Sequence, residues 1–169
     1  MAGLATNKQE NSGEMVSLCS LLTGGRVFGI DTRLICEVLG EHEVQRVPQA
    51  PPFIAGVIPN RGEVLTTVNF RAVLGMEDQS GTSSVLVLED EESQERFGLM
   101  VDAVSSVVIV SAGMLEPNPS TLEPHCKILF EGAYKMATGL IVSLDPQKLR
   151  PVRLAEMGLF SRKGRGDLV

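Results

Sequence analysis

The chain has 169 residues, of which 43% are apolar and 21% charged, and its formal net charge at pH 7 is −6. This composition predicts a globular protein whose core is built from Val, Leu and Ile rather than from aromatic side chains. The acidic balance argues against a nucleic-acid ligand, because neutralising phosphates requires a basic face. Only residues 162–166 near the C-terminus could supply one, and we expect that tail to be solvated.

Cysteine content and the absence of apolar runs indicate the compartment. The three cysteines, Cys19, Cys36 and Cys126, have no CxxC spacing and fit neither a disulfide framework nor a zinc ribbon. Residues 1–14 are polar and are expected to form a flexible leader, and no run approaches the ~18 apolar residues that a membrane helix needs. We therefore expect a cytoplasmic protein that does not insert into a membrane.

The predicted elements are mostly short strands. A hairpin is expected from Val16, with a tight turn at residues 23–26, followed by a short helical turn capped by Asp31 and an apolar segment at 34–39. Asp145 and Pro146 predict the start of a helix that could resume at 153–157. Further strands are predicted at residues 53–58, 64–70, 85–88, 97–101, 107–110, 128–130 and 140–144.

The two halves of the chain resemble each other in order. Residues 26–31 resemble 96–102 and residues 53–57 resemble 129–133, at spacings of about 70 to 76 residues. Unless this similarity is a chance match between strand-rich segments, it predicts two duplicated small barrels. We predict subdomains at about 15–80 and 84–150, joined by the linker 78–84, and leave open whether they exchange strands.

No catalytic, metal or cofactor site is recognisable in the sequence, so we predict no enzyme. His42 lies in a charged, solvated run, while His125 and Cys126 would point to opposite faces of a strand. Cys36 is expected to pack in the core. Phosphate-binding and hydrolase motifs are absent.

Two charged residues stand out as candidates for recognition. Arg61, followed by Gly62, lies at a predicted turn tip, and Glu37 lies between the apolar residues Cys36 and Val38. Each is either a solvated side chain or a contact with a partner, and the residues alone leave both readings open.

A family resemblance covers residues 15–150. The run 46–58 (RVPQAPPFIAGVI), followed by Arg61-Gly62 and by VNFR at 68–71, resembles the signature of CheW-like coupling proteins. Residues 28–30, 37–38, 98–104 and 139–145 match as well. The resemblance implies an all-β fold of two packed SH3-like five-stranded β-barrels with short helical segments, and it leaves residues 151–169 as a C-terminal extension and tail.

The resemblance also implies a function and a site. Such proteins are non-enzymatic adaptors that couple the hairpin tip of a chemoreceptor to the regulatory domain of a CheA-type histidine kinase at membrane-associated receptor arrays. By position, Glu37 and Arg61 are expected to face the receptor, with Val57 and Ile58 as an apolar floor. The residues expected to serve as turn glycines are Gly56 and Gly62.

The chain departs from the family pattern near this site. Pro59-Asn60 replaces Asn-Leu, Thr66 replaces a strand Pro, and Asn69 replaces Asp. These departures imply a weakened or retuned receptor contact and a divergent coupler, such as one from a non-flagellar surface-motility pathway. The alternative hypothesis is a small-molecule or thiol-sensing barrel that uses Cys36 or Cys126.

Overall fold

The computed structural model describes residues 13–78, 81–118, 120 and 124–158, with the backbone alone at 124–126. Nearly all of the predicted leader, the middle of the predicted linker 78–84 and the C-terminal tail lie outside these residues. The described part contains two five-stranded sheets and a few short helices, which confirms the predicted all-β fold.

The strands and helices follow one another closely along the chain. The strands are β1 (Met15–Thr23), β2 (Arg26–Asp31), β3 (Ile35–Glu41), β4 (Ile54–Asn60), β5 (Glu63–Asn69), β6 (Ser84–Glu89), β7 (Arg96–Val101), β8 (Ala103–Ser111), β9 (Phe130–Met136) and β10 (Gly139–Leu144). The α-helices are α1 (Phe70–Val73), α2 (Pro124–Leu129) and α3 (Pro151–Met157), and 3₁₀ turns span Thr32–Leu34, Ala112–Met114 and Pro146–Leu149.

Each sheet takes strands from both halves of the chain, so the predicted bounds of 15–80 and 84–150 do not delimit the barrels. The first barrel has the order β8-β1-β2-β10-β9 and the second β3-β6-β7-β5-β4. Parallel pairing of β2 with β10 and of β5 with β7 produces this exchange. Adding five to each strand number of the first order, and counting on from β10 to β1, gives the second order. This correspondence agrees with the predicted duplication.

Three apolar clusters hold the barrels together. The shared cluster lies between them, where the ring of Phe28 meets Phe70 edge-on at 4.9 Å and Phe130 at 5.8 Å between centroids. A second cluster around Leu18 fills the first barrel and a third around Ile58 fills the second. Because side chains alternate across a strand, each sheet supplies one face to its own interior and one to the shared core.

In the described part of the chain, one isolated backbone bridge closes each barrel. Gln45, beyond β3, exchanges two hydrogen bonds with Val57 of β4 at 2.8 and 3.0 Å, and Glu116 does the same with Ala133 of β9, both at 2.9 Å. The bridge partners are preceded by Gly56 and Gly132, whose φ angles are 151° and 152°. A Cβ at Gly56 would collide with the carbonyl oxygen of Gln45. Gly56 therefore lies inside a strand, not in a turn as predicted, while Gly62 does lie in a turn.

Two arginine–aspartate pairs connect the barrels at separate places. Nε and Nη2 of Arg71 in α1 each donate to the carboxylate of Asp102 at 2.7 Å, and Asp102 also accepts from the backbone of Gly24 in the β1–β2 turn at 2.9 Å. Arg150, just before α3, donates to Asp90 in the β6–β7 turn at 2.9 Å. Both pairs are largely buried, so they fix how the two barrels are oriented.

One predicted strand is wrong, while the predicted caps are confirmed. Residues 128 and 129 end the helix α2, which Pro124 begins, and the strand starts only at Phe130. The argument that His125 and Cys126 sit on a strand is therefore wrong as well. Asp31 and Asp145 cap their 3₁₀ turns by accepting backbone N–H groups, as the sequence predicts.

Gly56→Ala should destabilise the protein more than an alanine substitution at a glycine of positive φ with open space around it. We expect the free energy of unfolding to fall by about 3 kcal/mol in urea denaturation followed by circular dichroism, because the new methyl group prevents the Gln45–Val57 bridge. Gly75→Ala is the matched control, because Gly75 has a φ of 76° with nothing within 4 Å of its Cβ position. That control should lose about 1 to 2 kcal/mol, and equal losses would contradict the closure argument.

Candidate partner-binding surface

Barrel closure brings the two predicted recognition residues together. Glu37 lies in β3 and Arg61 follows β4, and these strands are the opposite edges of the second sheet. Nη2 of Arg61 donates to Oε1 of Glu37 at 3.2 Å, and the amide Nδ2 of Asn60 approaches Oε2 of the same carboxylate at 3.4 Å. The two edges thus meet through a polar network, which we call the Glu37 network (Glu37, Asn60 and Arg61).

The turn between β4 and β5 explains the position of Arg61. Asn60 pairs with Glu63, so the hairpin loop consists of Arg61 and Gly62 alone. Both loop residues have positive φ, 52° and 82°, as expected for a type I′ turn. The Arg61 side chain is 74% exposed at the tip, whereas the Glu37 side chain is only 26% exposed.

Electrostatics keep the Glu37 carboxylate ionised. The hydrogen bond from Arg61 and then that from Asn60 lower the pKa of Glu37, and they outweigh the partial desolvation, which acts in the opposite direction. At neutral pH the network therefore contains one fixed negative charge beside one exposed positive charge.

The predicted apolar floor is wrong for Ile58. Ile58 is completely buried in the interior cluster of the second barrel, whereas Val57 is half-buried and points to the other face of β4. Val57 lies opposite Thr66 of β5, and the next pair on that face joins Pro59 to Val64. Val64 is 71% exposed. The apolar part of this surface is thus the hairpin outer face (Val57, Pro59, Val64 and Thr66).

The departures from the family pattern have distinct places in the structure. Pro59 and Thr66 belong to the hairpin outer face, and Asn60 belongs to the Glu37 network. Asn69 caps α1 by accepting from the backbone of Ala72 at 3.3 Å and donates to Asp78 at 2.8 Å. Three of the four departures therefore lie around Arg61, while Asn69 stabilises the start of a helix.

A second exposed apolar surface was missed by the sequence reasoning. Val107 and Ile109 on β8, an edge strand of the first barrel, are 60% and 63% exposed, and Met15 on the neighbouring strand is 61% exposed. Residues 107–110 are all apolar, so the sequence predicts the strand but gives no alternation from which to tell the covered face from the open one.

The cysteine side chains that the structure describes, Cys19 and Cys36, and the barrel interiors give little support to a sensing site, while the Cys126 side chain lies outside the description. Cys36 is exposed, contrary to the expectation of core packing, because β3 turns Cys36 and Val38 outward and partly buries the alternate residues Ile35, Glu37 and Leu39. Desolvation nevertheless raises the pKa of the Cys36 thiol, although Arg96 opposes this, and burial raises that of Cys19. Side chains fill both barrel interiors.

The described residues contain no group of three or more His, Cys, Asp or Glu side chains that could hold a metal ion, and His42 is exposed as expected. In the same residues, no helix has the length and apolar character required to cross a bilayer. A cleft of about 900 Å³ borders α1, but Arg71 and Asp102 on its wall are already bonded to each other.

The fold defines a double-barrel protein with an exposed charged and apolar surface at one hairpin. A family model for the CheW-like domain matches residues 18–152, and the chain belongs to this family. The predicted resemblance is therefore confirmed.

Named relatives and a solved structure agree with this assignment. The chain is 28% identical over 151 residues to the chemotaxis protein CheW of Klebsiella aerogenes, covering 88% of this chain and 90% of that protein. It is 32% identical over 102 residues to the chemotaxis protein CheW of Rhizobium meliloti, covering 60% and 66%. The fold matches the scaffolding protein TtCheW from Thermoanaerobacter tengcongensis with a TM-score of 0.72 at 21% identity, covering 82% of this chain and 94% of that one.

Cys36 should react slowly despite its exposure. Because its pKa is raised, little thiolate is present at pH 7, and we expect alkylation by iodoacetamide, mapped by mass spectrometry, to be slower than that of free cysteine. The rate should rise as the pH is increased above the ordinary thiol pKa. Alkylation at pH 7 faster than that of glutathione would instead favour the thiol-sensing hypothesis.

Proposed function

We propose that this protein is a non-enzymatic adaptor that couples chemoreceptors to a CheA-type histidine kinase in chemosensory signalling. Support comes from the CheW-like family match over residues 18–152 and from relatives named for chemotaxis. The observation that carries the proposal is the Glu37 network, in which the charged residues that the resemblance assigns to the receptor contact form one pair at a barrel edge.

The geometry of this surface suits a helical receptor tip. The exposed guanidinium of Arg61 supplies a charge at the rim, which sets register and association rate, and the adjacent hairpin outer face supplies apolar area. Such a small contact fits a transient signalling interface of roughly 1,200 Å² or less. Many such contacts in an array add up through avidity.

The kinase partner in this proposal is the regulatory domain of the CheA-type kinase. The family resemblance implies that this domain is itself a CheW-like double barrel. Through these two partners the adaptor is proposed to reside in the cytoplasm and to be recruited to membrane-associated receptor arrays, without inserting into the membrane itself.

Charge reversal at the Glu37 network should weaken receptor binding. We expect Arg61→Glu and Glu37→Lys each to lower the affinity for a purified chemoreceptor cytoplasmic fragment by about tenfold, measured by isothermal titration calorimetry, because each variant places two like charges side by side and disrupts the Glu37 network. Affinity for the kinase regulatory domain should change little, since the family resemblance implies that other surfaces bind that partner.

The matched control for this experiment is Arg33→Glu. Arg33 is 72% exposed and pairs with Asp31 at 2.7 Å, so it reproduces the exposure and ion pairing of Arg61 at another place. Receptor binding should be unaffected by the control, and circular dichroism should show that all variants are folded. If folded Arg61→Glu binds the receptor fragment as tightly as the unsubstituted protein does, the proposed receptor surface is wrong.

The proposal also concerns the signalling pathway in which the adaptor works, which we infer to be non-flagellar. The departures at Pro59, Asn60 and Thr66 lie around Arg61, so we expect a partner that differs from the flagellar receptor, as in a surface-motility system. In a complementation assay, the gene should restore swarming of a flagellar coupler deletion strain poorly or not at all. Full rescue at native expression level would contradict a non-flagellar role.

A further inference from the structure

Asn60 occupies a place in the Glu37 network where the family pattern has Leu. The two oxygens of the Glu37 carboxylate are approached by different donors, Oε1 by Arg61 and Oε2 by Asn60. A leucine side chain has no polar atom and cannot make the second contact. The network in this chain therefore contains a donor that the family pattern lacks.

The two donors differ in how firmly they are held. Asn60 is the last residue of β4, pairs with Glu63 across the hairpin and has a short, partly buried side chain. Arg61 has a long side chain that is 74% exposed, and its guanidinium reaches Glu37 through one nitrogen, Nη2. Ordering a long exposed side chain costs more rotamer entropy than ordering a short one, so the Arg61 contact is the easier one to exchange.

Within the part of the chain that the structure describes, the other guanidinium nitrogens of Arg61 make no hydrogen bond. Because the guanidinium is planar and presents its N–H groups side by side, two of them can donate to the two oxygens of one carboxylate. An incoming acidic side chain could begin to bind these nitrogens while Nη2 stays on Glu37, but drawing the guanidinium toward itself would compete with that contact. Without Asn60, loss of the Arg61 contact would leave the Glu37 carboxylate, whose side chain is 26% exposed, with no hydrogen-bond donor among the described contacts, which is costly.

We propose that Asn60 is a positioning residue that holds Glu37 in place independently of Arg61, so that the guanidinium of Arg61 is available to a carboxylate on the receptor. The part of this inference that concerns the receptor rests on the proposed function. The part that concerns Asn60 and Glu37 does not, since it is a property of the free protein.

The first test measures the titration of Glu37 in the free protein by carbon-detected NMR. In an Arg61→Ala background, adding Asn60→Leu should raise the pKa of Glu37 further, whereas adding Asn60→Gln, which keeps an amide, should raise it less. Thr66→Ala on the same hairpin is the control and should leave the titration unchanged. If Arg61→Ala and Arg61→Ala/Asn60→Leu titrate identically, Asn60 does not position Glu37.

The second test measures affinity for the receptor fragment at several salt concentrations. Asn60→Leu should weaken binding about threefold, consistent with losing one hydrogen bond to a partly exposed charge, and Asn60→Gln should restore most of it. Arg61→Ala should reduce the salt dependence of binding, because a charge pair is lost. An unchanged salt dependence would overturn the assignment of an acidic receptor group.

The two tests separate the inference from the proposed function. If the titrations behave as expected but neither Arg61→Ala nor Asn60→Leu changes receptor binding, the proposed receptor surface fails and the positioning role stands. If receptor binding depends on Arg61 but the titrations show no effect of Asn60, the proposed function stands and the positioning role fails.

Discussion

The close approach of backbone at Gly56 is the constraint on which the second barrel depends. Only a glycine at this φ of 151° lets the carbonyl of Gln45 come near enough to bridge to Val57. That bridge turns an open five-stranded sheet into a closed one and brings β3 toward β4. The Glu37 network spans the same seam, so the candidate site exists because the sheet closes. Gly132 has the same role in the first barrel, whose seam is crossed by a more exposed ion pair, with Nζ of Lys135 at 3.3 Å from Oε1 of Glu116.

Closure alone does not fix how the barrels are oriented, and the shared core supplies that information. Phe28 comes from the first barrel and Phe70 from the end of the second, and their edge-on contact buries both rings almost completely. The Arg71–Asp102 and Arg150–Asp90 pairs add directional contacts at two further places. An apolar core tolerates sliding more readily than directional ion pairs do, above all the bidentate Arg71–Asp102 pair, so the two kinds of contact together define one arrangement.

Period-two patterning and cap residues predicted most strands and both capped 3₁₀ turns, because these depend on neighbouring residues. Which strands pair with each other could not be predicted. The parallel pairing of β2 with β10 joins segments separated by more than a hundred residues and leaves no local signal in the sequence. The family resemblance selected Glu37 and Arg61, and the turn chemistry at Gly62 placed Arg61 at a tip. Strand alternation alone places Val57 and Ile58 on opposite faces, which conflicts with the shared apolar floor that the resemblance implies. The contact of Asn60 with Glu37 depends on barrel closure and was beyond sequence reasoning.

The distribution of stabilising contacts explains why this surface is suited to recognition. The buried aromatic core and the Arg71–Asp102 and Arg150–Asp90 pairs include none of the residues at the hairpin tip. An exposed ion pair such as Glu37–Arg61 contributes little to the stability of the fold. Water screens the charges, and holding the arginine in one conformation costs side-chain entropy. Residues at the tip are therefore free to change without endangering the fold. This freedom is consistent with the finding that Pro59, Asn60 and Thr66 depart from the family pattern while the glycine at position 56 matches it.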